Sequence, residues 1–536
     1  MSGPGWPAAR HYLPVVIGLA AFALVVALVP STEPTVTNAG GGSVPASATG
    51  PQPPAPDAPG SPGVAVSGVR CGPGVRQVSW SHYAPICQPA YHGHNGGATA
   101  PGVTGTTITL TYREAVSGEE QQLSSFLGPT VLPTNAAAVS VMQSYINLFN
   151  KDFELYGRHV VLKPFQGKGD FITEENGSGE AQAQEDADTA KAMGAFADVS
   201  LIASTPPYMQ SLVTDKIIGI GGALQSVTIM RKNAPYQYEV SPDCQKAAAA
   251  GVNIIGRAMA GMKAIYAGDP ALRTKTRVIA GIAPDSQSYN QCTGIVAAQL
   301  KKRYGVTEAV SLHYPLNLTG GSALAANTVA QLQHAGVTTV LCSCDPVTPI
   351  YLTSDANSLN FHPEWFTISF GDAFNRLPNQ DQWAHAMAGG QALLPERQQE
   401  AYQAYQLAHS ATPITPAYSD IYEPLLLFFD ALQAAGPDLT PQNFQAGVWS
   451  LPPSLPGGMY GGWRFGVGTV DPPTGNQVLW WNPTALNPQD AKKGTFEPCN
   501  GAITYGFYTP PTLPLHRQLQ CFANAPPVGP GGSGSR

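Results

Sequence analysis

Cys342-Ser343-Cys344 is the most reactive arrangement in the 536-residue chain. Thiols one residue apart form a tight bridge, and such a pair is a candidate for exchange chemistry. Cys71, Cys87, Cys244, Cys292, Cys499 and Cys521 complete an even set of eight. In an exported chain an even set favours disulfides. Proximity pairs Cys71 with Cys87, Cys244 with Cys292 and Cys499 with Cys521. Connectivity as a whole is not deducible, and Cys342 and Cys344 pair with each other or elsewhere.

Other chemistries find little support. His92-Gly93-His94 places two imidazoles in a glycine-rich loop, but no second Cys or His cluster follows at zinc spacing, so no metal is expected. Gly219-Ile220-Gly221-Gly222-Ala223-Leu224 follows a strand and half matches a dinucleotide fingerprint. Leu224 stands where the third glycine belongs, and no cofactor is expected. G-x-S-x-G, H-E-x-x-H and G-x-x-x-x-G-K-S/T are absent. No enzyme is implied; a thiol redox enzyme using Cys342 and Cys344 is the alternative.

The N-terminus places this chemistry outside the cell. Leu13 to Val29 is an uncharged apolar run, with Arg10 before it and Arg70 the next cation after it. That asymmetry keeps the N-terminus in the cytoplasm and exports the rest. The run ends Val29-Pro30-Ser31, without a small-residue cleavage site. The expectation is a transmembrane signal anchor over 1–30, the alternative a cleaved signal peptide. Residues 31–67 are a Pro/Gly/Ala-rich linker that cannot bury enough surface to fold, and 526–536 is similar. A net charge of −7, with charged residues at only 12%, argues against nucleic acid as a partner. Hydrophobic content of 43% is enough for a sizeable core.

The elements that would position a site begin at Gly105. Thr107–Tyr112, His159–Phe165, Val199–Ala203 and Ile217–Ile220 read as strands, and 136–153, 180–194 and 247–266 as helices. A second series follows, with strands at 277–283, 309–313, 338–342 and 365–370 and helices at 289–304 and 322–335. Helices at 422–435 and 441–448 and a hairpin over 461–481 come last. Two such series predict an α/β protein of two doubly wound parallel-sheet lobes, with ligands bound at the carboxyl ends of the strands.

Several segments, in this order, resemble the type I periplasmic solute-binding proteins, in particular the branched-chain amino-acid-binding (Leu/Ile/Val-binding) family of ABC transporters. They are the opening strand Gly102–Leu110, the helix end and turn Asn150–Arg158, Ser241-Pro242-Asp243-Cys244-Gln245, Asp285–Tyr289, Trp365–Asp372 and Tyr422–Gly436. The resemblance implies three crossovers between the lobes. Lobe one is expected at 102–240 and 373–450, lobe two at 241–372 and 451–508. A Cys-containing extension (68–101) precedes them and an extension and tail (509–536) follow.

The resemblance also implies a function and a site. The function is an extracytoplasmic receptor that closes on a small polar ligand, an amino acid or an amide, and works with an ABC permease. A membrane-tethered sensing ectodomain without transport is the alternative. Ser204, Thr205, Ala223 and Gln225 of lobe one would hold a ligand carboxylate, Tyr289 would cover the side chain, and Asp372 would hold the ammonium. A desolvated carboxylate needs several fixed donors, and a buried ammonium needs an anion. Asp345 is a weaker ammonium candidate. Ala203-Ser204-Thr205-Pro206-Pro207 departs from the family's Gly-Pro before the serine, and Gln225 stands where Thr is common.

Overall fold

The computed structural model describes residues 58–521, except 128–132, 223–224, 317–320, 369–370, 410, 412, 414, 416 and 456–460. The expected helix at Leu13–Val29, most of the linker, and Ala223 lie outside the described residues. Among the described residues, no helix is long and apolar enough to cross a membrane.

The last residues of the expected linker are folded, with Ser61 and Ala65 buried. β1 (Gly63–Val64) pairs antiparallel with β2 (Arg70–Cys71), and the Cys71–Cys87 disulfide closes the loop that follows. Two aromatic and acidic contacts dock this extension onto lobe one. Trp80 stacks on Phe149 with ring centroids 5.9 Å apart, and Glu400 accepts hydrogen bonds from Ser81 Oγ and the His82 N–H.

Lobe one is a five-stranded parallel sheet of β3 (Thr107–Glu114), β4 (His159–Gln166), β5 (Ala197–Asp198), β6 (Ile218–Ile220) and β7 (Gln237–Tyr238), in the order β4-β3-β5-β6-β7. β3 buries six consecutive residues, because helices cover both faces of a parallel sheet. One face receives the Asn135–Asp152 helix, which presents Val141, Met142, Tyr145 and Phe149 at helical spacing. These residues meet Tyr422 and Phe429 of the Tyr418–Ala435 helix. The strand expected at 199–203 stops at Asp198, and Leu201–Ala203 is a 3₁₀ turn. Side chains end the strand. Asp198 accepts from Thr111 Oγ1 at 2.7 Å and Tyr208 OH at 3.0 Å, and Ser200 Oγ takes the Arg113 N–H at 2.8 Å.

Lobe two is a mixed sheet. β8 (Ile279–Pro284), β9 (Ser311–Tyr314), β10 (Thr339–Cys342), β11 (Glu364–Ile368) and β12 (Ala386–Gly390) are parallel. β13 (Gly475–Leu486) and β14 (Lys493–Pro498) continue it antiparallel, giving the order β14-β13-β12-β11-β10-β8-β9, and β15 (Tyr505–Gly506) pairs with β13. The late hairpin is therefore β13–β14 rather than 461–481.

The lobe boundaries also differ from expectation. Residues 373–390 remain in lobe two, because Ala386-Met387-Ala388-Gly389-Gly390 is a strand beside β11. It lacks the β-branched residues that mark strands in a sequence. Trp463 and Phe465 join the lobe-one core, whereas Leu513, Leu519 and Cys521 join lobe two. The chain thus crosses after Val240, between Gly390 and Glu400, and between Val470 and Gly475. All four disulfides are formed, Cys342–Cys344 included, so no described thiol is free for redox chemistry.

Candidate functional site

A cavity of about 340 Å³ lies at the carboxyl ends of the lobe-two strands. That is the lower part of the range typical of small-molecule sites, and about the liquid volume of eleven waters. Its floor is Leu341, Phe366 and Gly389-Gly390 of β10, β11 and β12. One wall is Ala247–Ile255 of the Cys244–Ala258 helix, and another is Tyr289 and Val296 of the Gln287–Tyr304 helix. The Cys244–Cys292 disulfide ties these two walls together. Gly389 leaves little room for a side chain: a Cβ there would lie 3.3 Å from both Asn476 Nδ2 and Ile254 Cδ1.

Two acids reach this cavity, and they differ. Asp372 opens the short Asp372–Asn375 helix and is 5% exposed. Its Oδ2 accepts from Asn487 Nδ2 at 2.8 Å and Thr495 Oγ1 at 2.6 Å. Burial raises its carboxyl to about 6 against those hydrogen bonds. Asp420 belongs to lobe one. It sits in the first turn of the Tyr418–Ala435 helix and is the sole residue from Tyr418 to Gln433 not buried. Its accessibility is that of a surface residue, yet surrounding protein is dense enough for burial to push its carboxyl up to about 6. The two facts agree because its accessible face opens into the cavity it lines. It has no hydrogen-bond partner among the described residues.

The structure divides the expected ligand residues. Tyr289 and Asp372 line the cavity; Ser204, Thr205 and Gln225 do not. Thr205 Oγ1 donates to Glu174, which belongs to a buried network with Arg113 and Asp186. Ser204 Oγ and Gln225 Nε2 are buried without partners among the described residues. Both lie against Gly221-Gly222: a Cβ on Gly221 would be 3.4 Å from Ser204 Oγ, and one on Gly222 2.8 Å from Gln225 Nε2. Their positive φ angles of 120° and 94° permit this approach. Asp345 is occupied, accepting from Tyr314 OH, Thr348 Oγ1 and the Val347 and Thr348 N–H groups.

Sequence reading missed Asp420, Gln391 and Asn476 at the cavity. Asp420 stands two residues before the Tyr422 segment that carried the resemblance, in a helix that also holds Glu423 and Asp430, so its residue type alone did not single it out. It also missed the contacts that close the lobes on each other. Asn176 exchanges two hydrogen bonds with the Leu316 backbone, at 2.9 and 3.0 Å. Ser288 Oγ donates to Glu175 Oε2 at 3.2 Å, and Ile172 packs against Val347, Tyr351 and Phe374. Burial raises the Glu175 carboxyl to about 7, partly offset by the Ser288 hydrogen bond.

No protein-family model and no curated protein matches the chain. Solved structures match its fold. A fatty acid ABC transporter substrate-binding protein from Thermomonospora curvata aligns at 14% identity and TM-score 0.53, over 74% of this chain and 93% of its own. A leucine-, isoleucine-, valine-, threonine- and alanine-binding protein from Brucella ovis, in its closed conformation, aligns at 15% and 0.52, over 76% and 99%. A type 1 periplasmic binding protein from Bordetella pertussis aligns at 12% and 0.51, over 73% and 100%. By this likeness, the chain has the two-lobed fold of the type I periplasmic substrate-binding proteins of ABC transporters.

Proposed function

We propose that the protein is an extracytoplasmic solute-binding receptor that closes on a small ligand, an amino acid or a similar molecule, and presents it to an ABC permease. The observation that carries this reading is the cavity at the carboxyl ends of the lobe-two strands, completed by Asp420 of lobe one. A ligand that touches both lobes favours their closed arrangement by its differential affinity for it. No bond is made or broken. The apolar run at Leu13–Val29 would tether the receptor to the membrane.

In this reading Tyr289 covers the ligand body, and Asp372 holds the wall in place while presenting negative charge. Ser204 and Gln225, which do not line this cavity, take no part in it. Calorimetric titration with L-leucine, L-alanine and their amides, against the intact protein and two variants, tests it. Tyr289→Ala and Asp372→Asn should each weaken binding of the responding solute about tenfold or more. Unchanged affinity in both variants would move the site elsewhere.

A further inference from the structure

The cavity wall has a one-sided chemistry. Among the described residues lining it, Asp372 and Asp420 are the only charged ones, with no Lys, Arg or His. The remainder of the wall is mainly apolar, with Ile255, Val296, Leu341, Phe366 and Phe507 at its sides. A carboxylate-headed occupant would bring a third negative charge into this space without a cation to meet it, a costly burial. An occupant with an apolar body and a hydrogen-bond-donating cationic head would meet the wall everywhere.

The two acids are not equivalent for this purpose. Asp372 already accepts from Asn487 and Thr495, contacts that fasten its helix to β14 and the turn before it. Asp420 accepts from none of the described side chains and keeps its accessible face on the cavity. It is also carried by the lobe-one helix, whereas Leu341, Phe366 and the two disulfide-linked walls belong to lobe two.

We propose that Asp420 anchors the amine end of an amine-headed, apolar ligand whose body lies among Ile255, Leu341 and Phe366, so that one molecule grips both lobes. This rests on the receptor reading, and it replaces the amino acid of that reading with an amine that carries no carboxylate. The charge–charge hydrogen bond is made only when lobe one is in place over the cavity. The head group, rather than the apolar body, therefore couples binding to closure.

Octylamine, octanol and octanoate share one apolar body and differ in the head, so they separate the contributions. Titration calorimetry on the intact protein at neutral pH should show octylamine binding at least tenfold more tightly than octanol, with octanoate weakest. Asp420→Asn keeps the size of the side chain and removes its charge. It should lower octylamine affinity at least tenfold and leave octanol within about threefold. Circular dichroism melting confirms that the variant is folded. Octanoate binding as tightly as octylamine, no octylamine binding, or an unchanged octylamine affinity in Asp420→Asn would each overturn the proposal. If L-leucine or another solute still binds in any of those cases, the receptor reading stands and this anchor alone is lost.

Discussion

Arg277→Met destabilises the protein by about 3–5 kcal/mol. Arg277 and Glu364 are fully enclosed in lobe two, with Nε to Oε2 at 2.7 Å and Nη2 to Oε1 at 2.9 Å. Arg277 Nη1 also donates to the Met259 carbonyl at 3.0 Å. Glu364 accepts further from the Tyr266 N–H and from Thr339 Oγ1. The pair thus ties the loop before β8 to β10 and β11. Methionine fills the space but leaves the carboxylate buried without its cation, and that uncompensated charge is the main cost. Arg277→Met combined with Glu364→Gln should recover most of the loss. Denaturant unfolding of the two single variants and the double variant measures the coupling. A single-variant cost below about 1 kcal/mol, or no coupling, would show that the pair is not the structural tie described. The solvent-exposed Lys168–Glu185 pair is the contrast; its removal should have little effect, as for other surface pairs.

The second large effect is on pH. Burial raises the carboxyls of Glu175 and Glu239 to about 7 and those of Asp198, Asp372 and Asp420 to about 6. Unfolded carboxyls titrate near 4. The folded protein therefore holds these protons more tightly. Their stabilising contribution is fully present below about pH 4 and is lost as pH rises through 6 and 7. His385 opposes the trend: burial lowers it to about 4, so its contribution is lost as pH falls from about 6.5 toward 4. The acids outnumber it, so the melting temperature should be higher at pH 5 than at pH 8 by several degrees. Glu239 lies at the first crossover, accepts from the Val240 and Ser241 N–H groups, and leaves Oε2 unpaired among the described residues. A rise from the ordinary carboxyl value to about 7 corresponds to roughly 3 kcal/mol, so Glu239→Gln should flatten the profile visibly. A melting temperature that rises steadily from pH 5 to pH 8 would contradict this account.

Much of the fold was legible because the periodicity of apolar residues is strong where elements bury one stripe. Val139, Met142, Ile146 and Phe149 mark a helix by their spacing, and the structure buries the last three of them; the run at Thr107–Tyr112 marks a strand. The lobe boundaries were not legible. They depend on β12, whose Ala-Met-Ala-Gly-Gly sequence has no local strand preference and is a strand because β11 and β13 flank it. Two of the residues expected at a site, Tyr289 and Asp372, line the cavity. They follow the carboxyl ends of β8 and β11, where doubly wound sheets bind ligands. Asp420 was not legible, because nothing local distinguishes an acid facing a cavity from one facing solvent. Thr205 misled because a hydroxyl after a strand signals a ligand loop, whereas here it serves Glu174, whose own partner, Arg113, is far away in sequence.

The central claim is that the two lobes close on a small solute. The most direct test is a thermal-shift screen of the intact protein against amino acids, amides, aliphatic amines, sugars and small organic acids. A receptor at about 100 times its ligand's Kd gains roughly 2.7 kcal/mol. The account predicts a concentration-dependent rise in melting temperature for one chemical class, clearly reduced in Tyr289→Ala. No shift with any class of the panel would contradict it.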